Sequence, residues 1–340
     1  HTHTHTHTHS ERSMGSNGSE VSHEVPPYLR VYRDGSIERL AGTEVAPATF
    51  DSQTGVLSKD SIIIPQRSVS ARLYCPNLKP SHHQKLPLVV YFHGGAFFMS
   101  STSDPYYHNS LNTLVAQANI ILVSVNYRKA PEYPLPAAYH DSWAALQWVA
   151  SHDSGGGGTG TGTGTEAWLR DYVDFGRVFL AGDSAGANIS HHMTIRAGLS
   201  DQALGLKLRG IILIHPYFWG EEPIGSEVMD RARKGMVDNW WLFVCPSERG
   251  NDDPLINPFV KGSPSLAGLA CDRVLVCVAE KDILKERGKL YYESLMKSEW
   301  CGAAEIIETQ GEDHVFHIFN PSSEKALNMI KSLASFINHK

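Results

Sequence analysis

Apolar residues in the chain follow two spacings, which alternate from residue 87 to the C-terminus. Short runs that are apolar throughout are typical of strands buried on both faces of a sheet, and the longer segments between them have helical spacing. The runs predict strands at 87–92, 120–126, 178–181, 209–214, 274–279 and 304–308. The segments between them predict helices at 106–117, 137–151, 185–193, 284–300 and 322–338. Repeated alternation of strand and helix predicts an α/β fold with a mostly parallel central sheet flanked by helices.

Two parts of the chain depart from this alternation. Before residue 87, four short strand-like pieces are separated by Gly, Pro and Asp, and they lie at 29–32, 36–40, 61–64 and 69–74. Such pieces predict antiparallel strands at the N-terminal edge of the sheet. The segment 216–260 interrupts the alternation with a dense aromatic helix around 238–243. We expect this segment to be an insertion, and the family resemblance given below implies that it forms a small helical cap.

These departures predict a division of the chain into five segments. Residues 1–13 begin with alternating His and Thr and resemble an engineered purification tag, so we exclude them from fold and function. The other four segments are 14–60, which the same resemblance assigns in part to the cap; 61–215, the first part of the core; 216–260, the cap insertion; and 261–340, the second part of the core.

Composition and charge narrow the class of protein. The chain has 340 residues, 41% of them hydrophobic, and a formal net charge of -6. It has no basic stripe and no apolar run of transmembrane length, so we expect neither a nucleic-acid partner nor a membrane. Five cysteines without a C-x-x-C pair fit a reduced, cytoplasmic protein. Gly15 fits the loose pattern for N-myristoylation, but no basic patch that would support membrane binding lies beside it. No feature of the sequence indicates the oligomeric state.

The stretch from Gly182 to Gly186 reads Gly-Asp-Ser-Ala-Gly, between an apolar strand and a helix. A strand that runs straight into a helix through a serine flanked by small residues is the pattern of a nucleophile elbow. The turn holds the serine in a strained conformation, with its Oγ exposed above the helix N-terminus. Ser184 is therefore the candidate nucleophile.

A second motif lies upstream, where an apolar strand ends in His93-Gly94-Gly95-Ala96. Acyl transfer develops negative charge on a carbonyl oxygen, which preorganised N–H donors must stabilise. The main-chain N–H groups of Gly94, Gly95 and Ala185 are the candidate donors of an oxyanion hole. The alternative is an ordinary Gly-Gly turn after a strand.

The other members of a catalytic triad should follow the serine in the order acid, then histidine. Asp282 is the candidate acid at the end of the strand 274–279, and Glu280 is its rival. His314 is the candidate base in the loop after the last strand, and His317, three residues on, is the alternative. Such a triad requires neither a metal nor an organic cofactor, and we predict none.

Aromatic residues near these motifs are candidates for a substrate pocket. They are Phe97, Phe98, Phe218, Trp219, Trp240 and Phe243. The alternative is that these rings, above all those of the predicted cap helix, only pack the cap onto the core.

Together the motifs resemble the plant carboxylesterases of the hormone-sensitive-lipase group. The resemblance rests on HGGAF at 93–97, NYRKAPEYPLPAAYHD at 126–141, GDSAGANISHH at 182–192, EKDIL at 280–284 and GEDHVF at 311–316. It implies an α/β-hydrolase fold with a small helical cap, and a serine esterase acting on small-molecule esters. Ala96 departs from the group, because many members carry a third glycine there.

The same resemblance leaves the reaction open in part. Members similar to 2-hydroxyisoflavanone dehydratases share the sequence motif PxFWGxxPIGSE, which is found here at 216–227. A lyase, dehydratase or cyclase of specialised metabolism is therefore the main alternative to an esterase. Gibberellin receptors also resemble the chain but lack the triad histidine, so the presence of His314 argues against a receptor.

Overall fold

A computed structural model of the chain describes residues 20–78, 84–154, 164–199 and 204–339. Gly15 and the predicted tag lie outside the described residues. The strands are β1 (Val21–Val25), β2 (Leu29–Tyr32), β3 (Ile37–Arg39), β4 (Leu57–Ile64), β5 (Val69–Cys75), β6 (Leu86–Phe92), β7 (Ile121–Asn126), β8 (Val173–Asp183), β9 (Leu208–Ile214), β10 (Cys271–Ala279) and β11 (Ala303–Thr309). The helices are α1 (Pro105–Ala118), α2 (Ala137–Ala150), α3 (Ala167–Tyr172), α4 (Ala185–Leu199), α5 (Arg231–Val244), α6 (Lys285–Lys297), α7 (Phe316–Phe319) and α8 (Glu324–Asn338).

Eight strands form one sheet in the order β11-β10-β9-β8-β6-β7-β5-β4. From β11 to β7 all neighbouring strands are parallel, whereas β5 pairs antiparallel with both β7 and β4. The predicted α/β fold with a mostly parallel sheet is confirmed. Of the four pieces predicted as antiparallel strands at its N-terminal edge, 61–64 and 69–74 lie there in β4 and β5, whereas 29–32 and 36–40 correspond to β2 and β3 of a separate sheet.

The local sequence explains why these elements form where they do. Strand β6 reads LPLVVYF and is buried along its whole length, as expected of a central parallel strand covered on both faces. Helix α1 begins with Pro105 at its first position, and the side chain of Asp104 caps it by accepting the N–H of Tyr106. It ends at Asn119, whose φ of 52° is left-handed and stops the helix.

One hydrophobic cluster joins helices α1, α7 and α8 to every second residue of the parallel strands. Val89 and Tyr91 of β6 and Leu275 and Cys277 of β10 belong to it. The period of two is that of a strand, so these side chains share one face of the sheet. Helix α4 packs on β8 and β9 and contacts α2, outside this cluster. Helices therefore hold the central strands rigid beneath the loops at their ends.

The chain divides into two compact units, with the second beginning at Glu44. In the described part of the first unit, β1, β2 and β3 form a separate antiparallel sheet. In the second unit, the segment 216–260 contains α5 and two short 3-10 helices. The cap and the segment boundaries at residues 60, 215 and 260 remain predictions. Among the described residues, none of the helices is long and apolar enough to cross a membrane.

Candidate active site

Five loops meet at one edge of the parallel sheet. They leave the carboxyl ends of β6, β8, β9, β10 and β11 and carry His93, Ser184, His215, Asp282 and His314 in that order. The carboxyl ends of parallel strands lie along the same edge, which is where open α/β sheets place their functional groups.

Ser184 lies in the turn between β8 and α4. Its φ is 53°, a left-handed conformation that costs a residue with a side chain about 1–3 kcal/mol. Main-chain bonds hold this conformation, because Ser184 N–H donates to Ile214 O (2.9 Å) and Ser184 O accepts the N–H of Tyr217 (3.0 Å). A Cβ at Gly186 would lie 1.8 Å from the carbonyl oxygen of Phe92, so only glycine fits beside the turn.

The imidazole of His314 reaches both Ser184 and Asp282. Its Nε2 lies 3.0 Å from Ser184 Oγ, and its Nδ1 lies 2.7 Å from Asp282 Oδ2. Burial lowers the pKa of His314, but the charge and hydrogen bond of the Asp282 carboxylate outweigh burial and raise the pKa above its ordinary value. The arrangement therefore favours an imidazole that accepts a proton at Nε2.

Asp282 is buried, with 2% of its surface exposed. Burial raises the pKa of its carboxyl, but the neighbouring His314 outweighs burial and the pKa is lowered overall. Its second oxygen, Oδ1, accepts the N–H of Leu284 (2.9 Å). The rival acid Glu280 is exposed, and its carboxylate instead accepts the N–H of Gly311 (2.6 Å).

His317, the alternative base, is buried in α7 and points elsewhere. Within the described chain, neither of its ring nitrogens has a hydrogen-bond partner, and burial lowers its pKa to about 3. The geometry therefore favours His314 as the base.

The loop after β6 has an unusual backbone. Gly95, Ala96 and Phe97 all have positive φ, at 97°, 48° and 65°. Tyr127 holds the start of this loop, since its hydroxyl donates to His93 O (2.6 Å) and its ring stacks on that of His93.

The N–H groups of this loop differ in their availability. The N–H of Gly94 donates to Tyr107 Oη (2.9 Å), so it is already engaged and does not suit the role predicted for it. For the N–H groups of Gly95, Ala96 and Ala185, no acceptor is found among the described residues. The candidate oxyanion donors are therefore Gly95 and Ala185, as predicted, and Ala96 in place of Gly94.

The six aromatic candidates fall into two groups. Four are almost fully buried, with at most 1% of their surface exposed, and these are Phe97, Phe98, Phe218 and Trp219. Phe97 packs against Tyr217 and Trp241, and the ring of Phe218 stacks on Tyr291. Such rings cannot touch a substrate as they are packed here, so we assign these four to the core.

The other two aromatic candidates, Trp240 and Phe243, lie on α5 and are partly exposed. Both make edge-to-face contacts with Phe98, whose main chain follows directly on the loop of candidate oxyanion donors. They remain candidates for contact with a substrate.

His215 is a further buried group that the sequence did not single out. Its Nδ1 accepts the N–H of Val315 (2.9 Å), which fixes the loop directly after His314. His215, Asp282 and His314 each place one ligand-type atom within 4.8 Å of the others, a spacing compatible with a metal ion. Both nitrogens of His314 already have hydrogen-bond partners, so we propose no metal here.

Comparison with known proteins agrees with this geometry. The family described by an alpha/beta hydrolase fold matches residues 89–318. The chain is similar to probable carboxylesterase 2 of Arabidopsis thaliana, with 58% identity over 96% of this chain and 99% of that protein. The chain belongs to the α/β-hydrolase family, among its plant carboxylesterases. It is accordingly a carboxylic ester hydrolase.

One relative of this hydrolase is named for an activity other than ester hydrolysis. It is 41% identical to a 2-hydroxyisoflavanone dehydratase of Glycyrrhiza echinata, over 95% of this chain and 98% of that protein. Among solved structures it is similar to a hyperthermophilic esterase from the archaeon Pyrobaculum calidifontis, with a TM-score of 0.67 and 26% identity, over 82% of this chain and 84% of that one.

Sequence reasoning missed several groups around the site of the hydrolase. Ala96 was named only as a departure from the family motif and not as an N–H donor. His215, Tyr91 and Tyr107 were not singled out, although the two tyrosines contact Asp183, the residue before Ser184. The sequence did contain a signal for the two tyrosines. Asp183 ends a buried apolar strand, and a buried carboxylate requires hydrogen-bond partners.

Proposed function

We propose that this hydrolase cleaves small to medium carboxylic esters of plant specialised metabolites through an acyl-enzyme on Ser184. The observation that carries the proposal is the unbroken set of contacts from Ser184 Oγ through His314 to Asp282, at 3.0 Å and 2.7 Å. These are the distances at which a nucleophile, its base and an orienting acid act as a unit.

In the first half of the proposed reaction, Ser184 Oγ attacks the ester carbonyl carbon and its proton passes to His314 Nε2. Asp282 holds Nδ1–H, which selects the tautomer with a free Nε2, and it stabilises the imidazolium once that forms. The C–O bond to the leaving alcohol then breaks as His314 returns the proton to the alcohol oxygen. The product of this half is an acyl ester on Ser184.

In the second half, water replaces the alcohol. His314 Nε2 takes a proton from the water, whose oxygen attacks the acyl carbon, and the proton then returns to Ser184 Oγ as the carboxylic acid leaves. In both halves the negative carbonyl oxygen is held by the N–H groups of Gly95, Ala96 and Ala185. Each such donor contributes roughly 10²–10³-fold to the rate of acyl transfer in serine hydrolases of known mechanism.

The proposed substrate class is based on the aromatic residues that lie near the candidate oxyanion donors. Trp240 and Phe243 offer partly exposed aromatic surface beside the loop of oxyanion donors, which suits substrates with apolar or aromatic groups. A relative 41% identical is named for an isoflavanone, which is an aromatic plant metabolite.

The same relative supports a second candidate function, that of a lyase or dehydratase acting at the same site. In a dehydration His314 takes a proton from carbon, the electron pair of that C–H bond forms a C=C bond, and the C–O bond of the neighbouring carbon breaks. The hydroxyl group leaves as water with the proton that His314 returns, and Ser184 forms no acyl-enzyme. A receptor without turnover is disfavoured, because His314 is present and lies within hydrogen-bond distance of Ser184.

Rapid-mixing kinetics with p-nitrophenyl acetate and butyrate test the proposal. We expect a burst of p-nitrophenol close to one equivalent per enzyme if deacylation is the slower half, and steady turnover that Ser184→Ala abolishes. Ser190→Ala, on the next turn of α4, is the matched control and should retain the activity of the wild type. A Ser184→Ala enzyme with most of its esterase activity would refute the proposed nucleophile. A folded wild type that cleaves neither ester but dehydrates a 2-hydroxyisoflavanone would favour the lyase.

A further inference from the structure

Asp183, directly before the nucleophile, carries a buried carboxyl that the proposed reaction does not use. None of its surface is exposed, and burial raises the pKa of the carboxyl. Two buried tyrosines satisfy its oxygens: Tyr91 Oη donates to Oδ1 (2.7 Å), and Tyr107 Oη donates to Oδ2 (2.6 Å). A buried carboxyl with two dedicated donors is costly to build and indicates a specific role.

Tyr107 connects this carboxyl to the loop after β6. Its hydroxyl has one hydrogen, which it donates to Asp183, and its oxygen accepts the N–H of Gly94 (2.9 Å). A continuous chain of hydrogen bonds therefore runs from the Gly94 N–H through the Tyr107 hydroxyl to the residue beside Ser184. Tyr91 bonds the same carboxyl from the other side, and no bond from its hydroxyl to Gly94 is found in the described structure.

Packing supports the same connection. A Cβ at Gly94 would lie 2.4 Å from Asp183 Oδ2 and 2.8 Å from Tyr107 Oη. Glycine is therefore required at position 94 because Asp183 and Tyr107 approach the main chain there.

The residues that follow Gly94 explain why such a connection is needed. Ala96 and Phe97 have left-handed φ values of 48° and 65° without being glycine. Each such conformation costs about 1–3 kcal/mol and persists only where surrounding contacts fix it. The N–H groups of Gly95 and Ala96 lie in this strained stretch, so their direction depends on how firmly Gly94 is held.

We propose that Tyr107 is a positioning residue for the oxyanion loop. Its hydroxyl fixes Gly94 against Asp183, next to the nucleophile, so that the N–H groups of Gly95 and Ala96 point at the carbonyl oxygen that Ser184 attacks. This inference rests on the proposed function, because it assigns those N–H groups to the oxyanion.

Tyr107→Phe tests the inference, and Tyr91→Phe is its matched control. Both changes remove one buried hydroxyl from the same carboxyl, and only the first removes the acceptor of Gly94. For p-nitrophenyl butyrate we expect Tyr107→Phe to lower kcat by about 10–100-fold with KM within about twofold, since small misplacements of reacting groups cost rates of this order. Tyr91→Phe should stay within about threefold of the wild-type kcat.

The inhibition constant of a trifluoromethyl ketone is a second measurement. It should not change if Tyr107 only stabilises the fold. Ser184 Oγ adds to its carbonyl carbon, the serine proton passes to His314, and the adduct carries the oxyanion. Its inhibition constant should rise in Tyr107→Phe by the same factor by which kcat/KM falls, and stay unchanged in Tyr91→Phe. Equal effects of the two changes, or an inhibition constant of wild-type size in Tyr107→Phe, would overturn the inference.

Two further variants keep the outcome decisive. If Tyr107→Phe does not fold, Asp183→Leu removes both acceptor oxygens beside the Tyr107 hydroxyl, and wild-type kcat and inhibition in that variant would also overturn the inference. Ser184→Ala separates the two claims. An active Ser184→Ala enzyme contradicts the proposed function itself, whereas an inactive one beside a fully active Tyr107→Phe enzyme contradicts only the role of Tyr107.

Discussion

Replacing Asp282 by Asn should nearly abolish the activity of the hydrolase without disturbing its fold. The structure dictates how the amide would lie. Asp282 Oδ1 accepts the N–H of Leu284 (2.9 Å), and an amide keeps this bond only by placing its oxygen there. Its NH₂ group then takes the place of Oδ2, 2.7 Å from His314 Nδ1. Because the amide donates to Nδ1, the proton of the neutral imidazole moves to Nε2, which can no longer accept the proton of Ser184.

The same change in a serine protease with this triad lowers kcat by about 10⁴-fold, and we expect a loss of that order here. At 1.36 kcal/mol for each factor of ten, this loss equals about 5.4 kcal/mol of transition-state stabilisation. The pH profile should shift as well. In the wild type the Asp282 carboxylate raises the pKa of His314 above its ordinary value of 6.5, although burial lowers it. Without that charge the pKa of His314 falls.

The assay is kcat/KM for p-nitrophenyl butyrate from pH 5 to 9, with protein folding checked by thermal unfolding. Only neutral His314 acts as a base, so the rate rises with pH through the pKa of His314. The midpoint of this rise should lie above pH 6.5 in the wild type and at a lower pH in Asp282→Asn than in the wild type. Glu280→Gln, the same chemical change in the rival acid, should alter kcat by less than about threefold. A tenfold or smaller loss in Asp282→Asn, or an equal loss in both variants, would refute the reasoning.

Three further predictions concern four variants. His314→Ala should lower kcat by about 10⁴-fold or more, whereas His317→Gln should stay within about tenfold, and steady-state kinetics of both decides between the two histidines. Arg287→Met leaves the buried carboxylate of Glu227 without its partner and should lower the free energy of unfolding by about 3–5 kcal/mol in urea titrations; an unchanged midpoint would contradict this. Gly186→Ala places a methyl group 1.8 Å from a carbonyl oxygen, so we expect no soluble, active enzyme in expression trials.

Much of the fold and the triad could be predicted because both depend on short-range patterns. The apolar run that predicted the strand 87–92 corresponds to β6, Leu86–Phe92. The candidate serine, acid and histidine follow the ends of β8, β10 and β11 in the predicted order, and His314 lies within hydrogen-bond distance of both Ser184 and Asp282. The spacing of a motif along the chain carries this information, since a parallel sheet brings all its strand ends to one edge.

Contacts between distant segments could not be predicted in the same way. The engagement of the Gly94 N–H depends on a hydroxyl of Tyr107 on α1, thirteen residues later in the chain. Aromatic character did not distinguish a substrate pocket from core packing, because Phe218 and Trp219 follow a strand end and are nevertheless fully buried. Burial of a side chain depends on the tertiary packing around it, which the composition of a segment does not determine.

The most direct test of the proposed acyl-enzyme is to locate a covalent adduct by mass spectrometry. A p-nitrophenyl alkylphosphonate reacts with the activated serine of a triad, with loss of p-nitrophenolate, and leaves a stable phosphonyl ester. We predict one adduct per chain on the peptide that contains Ser184, with loss of esterase activity in step with labelling, and no adduct in Ser184→Ala. An adduct on another residue that tracks the loss of activity, or full activity with Ser184 labelled, would contradict the account.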